Sequence, residues 1–462
     1  MSKKNIFLLG KWEHNYYILR PAHRRPKFSV VKTMPGVDVK KCAVLIILCV
    51  VFFPDPPQAS EIFSNARQYA LGGAYSAMAQ GAEAIFTNPA NIYLNHKKKF
   101  SMNILGIGAE LSNNSISHVN YQRYVGDYLD PEDIDYILSK IPQEGVNLRS
   151  DAKLQGFSVG YGPVAVGFRG YSSYSSLFAR ELFELAFKGN ELNRLYEFDP
   201  VEGDGLTVAA VGLALGHSVN FDSSVVRNFG FGVNVRYLYG LSYTKVTDSG
   251  FHSRTTYSTL EGDGFLNANY AEGGTGYGIT VGTSVTLYSD FRASVVLENI
   301  ASSMDWDKNA QELGFTFHVN EDKVESLLET NGPIDSLFFA QDTSIAVEKF
   351  TLALPSVLRI GAMIPFYKKK WYINTEYEQA FDQAAFSSIK PRFAVGAEFL
   401  PNNIFRFRLG ASFGGNYENH YSGGMGLSFS NFCWDIAFRT YNGITSWASK
   451  GFGVATSIAI RY

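Results

Sequence analysis

The chain has 462 residues, a formal charge of −2, 46% apolar and only 18% charged residues, with 43 Gly, 27 Tyr and 36 Phe. This much aromatic and aliphatic surface excludes disorder, and the lack of a basic excess excludes a nucleic-acid binder. The apolar run from Cys42 to Phe53 is too short for a spanning helix, which needs about 20 residues. Abundant Gly, Phe and Tyr with few charges and no long apolar run is the composition of a transmembrane β-barrel, although a soluble all-β protein shares it.

At the N-terminus, Lys40 and Lys41 precede the apolar run, and the small residues Ala59 and Ser60 follow it. A basic flank, a short apolar stretch and a small-residue end predict a secretory signal over about 34–60. Residues 1–33 read as a basic, patternless, over-extended start, so 1–60 form an extension plus signal. Removing 1–60 takes away ten basic and three acidic residues, leaving 31 basic against 40 acidic and a net charge of −9. Cys433 is then the only cysteine, so an internal disulfide is excluded. Closing a large sheet on itself is another way to stabilise such a chain.

Residues 61–97 are rich in small side chains and do not alternate. They include Gly72-Gly73 and the turn-forming Asn88-Pro89-Ala90, since proline after asparagine favours a turn over a ladder position. Small side chains let a backbone dock closely inside something, here the lumen of a barrel.

From residue 98 to 462 the pattern has period two, with apolar residues on one face and small or polar ones on the other, as expected of strands between two different media. In the last strand Phe452, Val454, Thr456, Ile458, Ile460 and Tyr462 oppose Gly453, Ala455, Ser457, Ala459 and Arg461. Arg359, Glu376, Glu378, Arg392, Glu398, Arg406, Arg408, Asp435 and Arg439 all fall on the polar face of such segments. Lysine, the usual residue of a solvent-exposed sheet face, is nearly absent there. Opposite charges in ladders fit a crowded polar lumen, and aromatics such as Trp371, Tyr441 and Tyr462 near strand ends fit interfacial girdles. Alternating segments lie near 100–110, 114–124, 154–161, 163–172, 206–219, 228–244, 274–288, 291–303, 353–366, 370–381, 391–400, 404–413, 421–430, 432–441 and 452–462. That is fifteen, an odd number for a single-chain barrel, with 312–318 as a further candidate. The expectation is an all-β, antiparallel barrel of about 14 strands, with 16 as the alternative.

Between strands, Asp130-Pro131-Glu132-Asp133 predicts a helix start, with Ile134, Ile137, Leu138 and Ile141 as its stripe. A second helix reads from about Leu177 to Lys188, with Leu177, Phe178, Leu182, Leu185 and Ala186 on one face and Gly189 ending it. Within the acidic insertion 304–350, Asn320 could cap a short helix with Val324, Leu327 and Leu328 as its stripe. Both of the first two helices fall where a barrel puts long extracellular loops. His420 and Ser422, two apart on one strand, have the spacing of a nucleophile and its base, but Met425, Leu427 and Phe429 make up the outward set, so the pair points inward. The histidines show no metal spacing, and Gly273 to Gly278 resembles a phosphate loop without the helix that must follow one. No enzyme activity and no cofactor are expected.

The run from Asn65 through Leu71-Gly72-Gly73-Ala74 to Asn88-Pro89-Ala90 resembles the N-terminal hatch of the FadL-type outer-membrane transporter superfamily. Leu354-Pro355-Ser356-Val357-Leu358-Arg359-Ile360-Gly361 is similar to a strand motif of that family. The terminal Tyr462 resembles the bacterial outer-membrane assembly signal. The resemblance implies a fourteen-stranded barrel (98–462) in a bacterial outer membrane, plugged by a hatch (61–97) with Gly72, Gly73, Asn88, Pro89 and Ala90 as gating positions. It implies passage of a hydrophobic small molecule of fatty-acid or hydrocarbon type, with outer-membrane lipids and the barrel assembly machinery as partners. The departures are Glu83-Ala84-Ile85 before the motif and Asn91 after it, and no signature of a fatty-acid pocket is present. A second implication is a PorV-like role as a docking or shuttle component for protein secretion.

Overall fold

The computed structural model describes residues 65–94, 100–199, 201–222, 225–257, 259–319, 338–382, 387–415 and 419–461. The expected signal, the short helix at 320–328 and Tyr462 lie outside these residues. The described strands in chain order are β1 (Phe100–Asn113), β2 (Val146–Tyr161), β3 (Val164–Phe178), β4 (Leu195–Glu197), β5 (Glu202–Asn220), β6 (Val226–Thr255) and β7 (Leu260–Ala271). They continue with β8 (Gly274–Leu287), β9 (Arg292–Trp306), β10 (Gln311–Val319), β11 (Phe338–Ala346), β12 (Phe350–Leu352) and β13 (Val357–Phe366). The last six are β14 (Trp371–Ala380), β15 (Arg392–Phe399), β16 (Phe405–Gly414), β17 (Asn419–Phe429), β18 (Phe432–Tyr441) and β19 (Gly451–Arg461).

Fourteen of these close a barrel, each antiparallel to the next: β1, β2, β3, β5, β6, β8, β9 and then β13 to β19. The ring shuts where β19 pairs back onto β1, from Ser101 opposite Arg461 to Ser112 opposite Gly451. Closure satisfies every edge, which a sheet in lipid requires. The other five strands lie toward the long-loop end. There the outer part of β6 pairs with β4 and β7, β7 with β10, β10 with β11, and β12 with β9. The opposite end carries short connections such as Gly162-Pro163 and Ser430-Asn431, together with the first residue of β1 and the last of β19.

One expected strand does not form. Residues 114–124 alternate, but Ser117 accepts a hydrogen bond from the Asn120 amide at 3.4 Å and starts a helix over His118–Tyr124. A serine cap satisfies a free helical N–H that a strand would not present. With that segment removed, the fourteen remaining segments are the fourteen barrel strands. The candidate at 312–318 forms β10, which stands outside the ring.

The alternation separates two media. On the outer face Leu409 is 71% exposed, Phe438 61% and Val454 52%, whereas the neighbours Arg408 and Arg439 are 2% and 1% exposed. So broad an apolar belt would be a liability in water and is the proper surface in lipid. Inside, toward the long-loop end, Tyr171, Leu206, Leu238, Tyr243, Trp306 and Leu354 form a buried cluster, with Val347, Phe350 and Leu352 folded in against it. Toward the short-turn end the filling is the N-terminal segment 65–94, whose Leu71, Tyr75, Ile85 and Phe86 pack with Ala165, Ala214 and Met363 of the wall.

Candidate functional site

The N-terminal segment begins with helix α1 (Ala66–Ala70), capped by Asn65, whose side chain accepts from the Gln68 amide at 2.8 Å. Gly72 and Gly73 follow at φ +67° and +94°, a left-handed turn that side chains rarely enter. At Gly72 a Cβ would also lie 2.9 Å from the Ala411 carbonyl oxygen, and its own carbonyl accepts from Arg392 at 2.8 Å. The turn therefore rests directly on the wall, opposite Gly396 and Gly410, which pair across β15 and β16.

Asn88-Pro89-Ala90 docks in the same way. Asn88 caps the short 3-10 turn Pro89–Asn91 through the Ala90 amide at 3.1 Å. Its Nδ2 donates to the Ser76 carbonyl at 3.2 Å, the Thr283 carbonyl at 3.3 Å and Ser284 Oγ at 3.0 Å. Asn91 donates to the same Ser76 carbonyl at 2.9 Å. Pro89 and Ala90 lie against a row of three glycines in register on adjacent strands, Gly216, Gly232 and Gly282. The wall here is one backbone thick. Removing the Asn88 side chain strands buried groups on both the segment and the wall, so Asn88→Ala should cost about 2–3 kcal/mol. A lowered thermal unfolding midpoint of the detergent-solubilised barrel checks this; an unchanged midpoint would mean that these bonds carry no load.

The charged candidates on the inner wall, Arg406 excepted, fall into three linked groups. Arg359 donates to Glu378 at 2.8 Å and to Glu298 at 2.6 Å. Arg392 reaches Glu378 at 2.7 Å and lies 3.9 Å from Glu376, whose carboxylate accepts from the amides of Tyr75 and Ser76 at 2.9 and 2.7 Å. Arg408 bridges Glu398 and Asp435, both at 2.7 Å. Arg439 reaches Glu110 at 3.3 Å and stacks 4.0 Å over the Tyr69 ring. Arg406 is set apart, with no acidic partner among the described residues.

Sequence reasoning missed the other half of these groups: Arg67, Glu83, Glu110, Arg169, Arg236 and Glu298. Glu298 collects Arg169 at 2.9 Å, Arg236 at 2.7 Å and Arg359. Arg67 of the segment reaches Glu398 of the wall at 2.6 Å, and Glu83 of the segment pairs with Arg461 of the wall. Burial alone would raise the Glu83 carboxyl, but Arg461 and Arg67 outweigh it and hold the group below its ordinary value. For Glu110, Arg169, Arg236 and Glu298 the signal available was the same alternation, read through β1, β3, β6 and β9; Arg67 and Glu83 lie in the segment, which does not alternate. His420 and Ser422 lie buried on the inner face, where Ser422 donates to the Ala70 carbonyl at 3.1 Å.

A second feature lies at the long-loop end. Helix α2 (His118–Tyr124) meets helix α3 (Pro131–Lys140), which Asp130 caps through the Asp133 amide at 2.9 Å. Helix α4 spans Arg180–Lys188, and Leu177 and Phe178, expected in it, belong to β3 instead. Phe183 and Phe187, rather than the predicted stripe, pack on Leu138, Ile141 and Val146. Lys188 pairs with Asp135 of α3 at 2.7 Å. The helices line a half-open cavity of about 180 Å³ whose walls include Ile116, Tyr121, Tyr124, Tyr136, Ile137 and Phe187. The lining is almost wholly apolar and aromatic.

These features define a membrane-spanning β-barrel of fourteen strands, with its own N-terminal segment inside and an apolar cavity at its long-loop end. Among solved structures the chain is similar to the toluene transporter TbuX of Ralstonia pickettii, at 13% identity over 87% of this chain and 98% of that one, with a TM-score of 0.47. It is similar also to the deltaS2S3 mutant of the monoaromatic hydrocarbon channel TodX, at 12% identity over 86% and 98% of the two chains, with a TM-score of 0.49. A Pseudomonas aeruginosa FadL homologue matches at 11% identity over 88% and 99%, with a TM-score of 0.43. The likeness is one of fold. No protein-family model matches the chain, and no curated protein matches it in sequence.

Proposed function

We propose that this chain is a channel of the bacterial outer membrane for compact hydrophobic molecules, captured at the long-loop end and gated by the N-terminal segment. The observation that carries this reading is the apolar cavity under α2, α3 and α4. An apolar cavity of about 150 Å³ holds a benzene molecule, so one of about 180 Å³ takes a body of roughly one aromatic ring. The segment serves as the gate because it is docked in the lumen by close backbone contacts, hydrogen bonds and the Arg67–Glu398 and Glu83–Arg461 pairs, and not by strand pairing with the wall.

Uptake of radiolabelled toluene by bacterial cells producing the protein tests the reading. Uptake should exceed that of non-producing cells, and Ile137→Asp, which puts a charge in the cavity wall, should reduce it by roughly tenfold, since an unpaired charge in an apolar site costs several kcal/mol. Equal uptake with and without the protein would overturn the reading. Palmitate run in parallel shows whether a long chain is accepted as well.

A further inference from the structure

The lumen opens at the short-turn end into a second cavity, about 380 Å³ in volume. Its charged lining comes from both the wall and the segment, including Arg67, Glu83, Glu398, Arg406 and Arg461. Lys369 and Asp290 at its rim pair with each other, and Arg292 donates to the Ala77 carbonyl at 2.9 Å. Met78, Ile92 and Leu400 supply an apolar side.

Among the described residues, the charge count around Arg406 does not close. Arg67 and Arg408 share Glu398, Arg408 also holds Asp435, and Arg461 holds Glu83 and lies 3.8 Å from Asp435. Three guanidiniums thus answer three carboxylates. Arg406 is a fourth cation on the same wall, half-buried, with no acidic partner among the described residues. Its Nε is buried without an acceptor, as are Nε and Nη1 of Arg461. Donors left unmet in a confined polar space cost more than donors in bulk water. Guanidinium groups are the preferred partners of oxyanions because they offer several N–H groups in a fixed fork.

We propose that this inner cavity is a binding site for an oxyanion, free or carried on a small apolar body, held by Arg406 with the spare donors of Arg461. The anion supplies the missing negative charge, and the apolar side receives whatever body carries it. The site stands apart from the outer cavity and does not depend on what that cavity takes.

Calorimetric titration of the intact, detergent-solubilised protein with inorganic phosphate and with phenyl phosphate tests the proposal. Saturable binding should weaken by roughly tenfold or more in Arg406→Gln, the equivalent of one charge-assisted hydrogen bond, and should largely survive in Arg406→Lys. Equal affinity for the two anions identifies a free oxyanion as the ligand, whereas tighter phenyl phosphate identifies an organic one. Toluene uptake should be unchanged in Arg406→Gln, so loss of this site and loss of the outer one are separable. Absence of saturable binding by either anion, or equal binding in wild type and Arg406→Gln, would overturn the proposal.

Discussion

Replacing Gly232 with valine is expected to drive the N-terminal segment out of the lumen. A Cβ at Gly232 would sit 2.6 Å from the Ala90 amide nitrogen, against backbone rather than a flexible side-chain tip. Gly216 and Gly282 flank it in register, so no neighbouring side chain can move aside to make room. One partner must yield. The wall strand is hydrogen-bonded on both sides, from Asn220 to Thr207 along β5 and from Leu287 to Gly274 along β8. At this point the segment is tied to the wall by the Asn88 side chain, which donates to the Thr283 carbonyl and to Ser284 Oγ, while Asn91 braces the segment itself through the Ser76 carbonyl. Overpacking of this kind costs about 1–3 kcal/mol or more, comparable to what those side chains contribute, so the segment yields. A cysteine at Thr87, which is 3% exposed, reports the result. Maleimide labelling of Thr87→Cys should be slow in the parent and faster by an order of magnitude or more with Gly232→Val, a population shift of about 1.4 kcal/mol. Phe231→Leu, on the outward face, should leave it slow. Unchanged labelling in a folded Gly232→Val barrel would mean that the segment is not seated by this contact.

The glycine row shows which parts of this molecule could be read from sequence. The barrel strands could, because a boundary between lipid and a polar lumen imposes period two on every strand it crosses, and fourteen alternating segments survive as the ring. The exception is instructive. Val119 and Tyr121 alternate by chance over a segment that Ser117 caps as a helix, and one hydrogen-bond acceptor at the right place outweighs a weak period. The polar face of the later strands was legible residue by residue, since Arg359, Glu376, Glu378, Arg392, Glu398, Arg408, Asp435 and Arg439 are all buried inside. What that face does was not legible. Gly216, Gly232 and Gly282 lie far apart in the chain, and only strand register sets them side by side. Glu298 likewise means nothing until β3, β6 and β13 bring Arg169, Arg236 and Arg359 to it. The outer cavity had a partial signal in the Asp130-Pro131 helix start, but the meeting of Tyr124 with Tyr136, ring centroids 6.1 Å apart, depends on how two loop helices lean together.

Glu298→Gln is the substitution with the largest expected cost in stability. Glu298 is 3% exposed and takes three guanidiniums, at 2.9, 2.7 and 2.6 Å. Removing one member of a buried ionic cluster costs about 3–5 kcal/mol, because the charges left behind stay desolvated. The three arginines do not suffer equally. Arg359 keeps Glu378 at 2.8 Å, and Arg236 keeps Thr280 at 2.9 Å and Asn299. Arg169 is left with its stacking over Phe86 at 4.9 Å and Tyr171 at 5.8 Å. The double variant Arg169→Met with Glu298→Gln should therefore recover part of the loss, since it removes the charge with the fewest other partners. Urea unfolding in detergent, followed by the loss of strand signal, measures both variants. Equal stability of Glu298→Gln and wild type would show that water reaches this level of the lumen and screens the cluster. The same pair bears on passage. The cluster lies between the outer apolar filling and the inner segment, and an apolar molecule gains nothing from crossing a ring of paired charges. If the ring is scaffold, Glu298→Gln should weaken the barrel while the outer cavity goes on taking up toluene in whatever fraction remains folded. If toluene uptake per folded barrel instead changes by more than a few fold, the ring lies on the path.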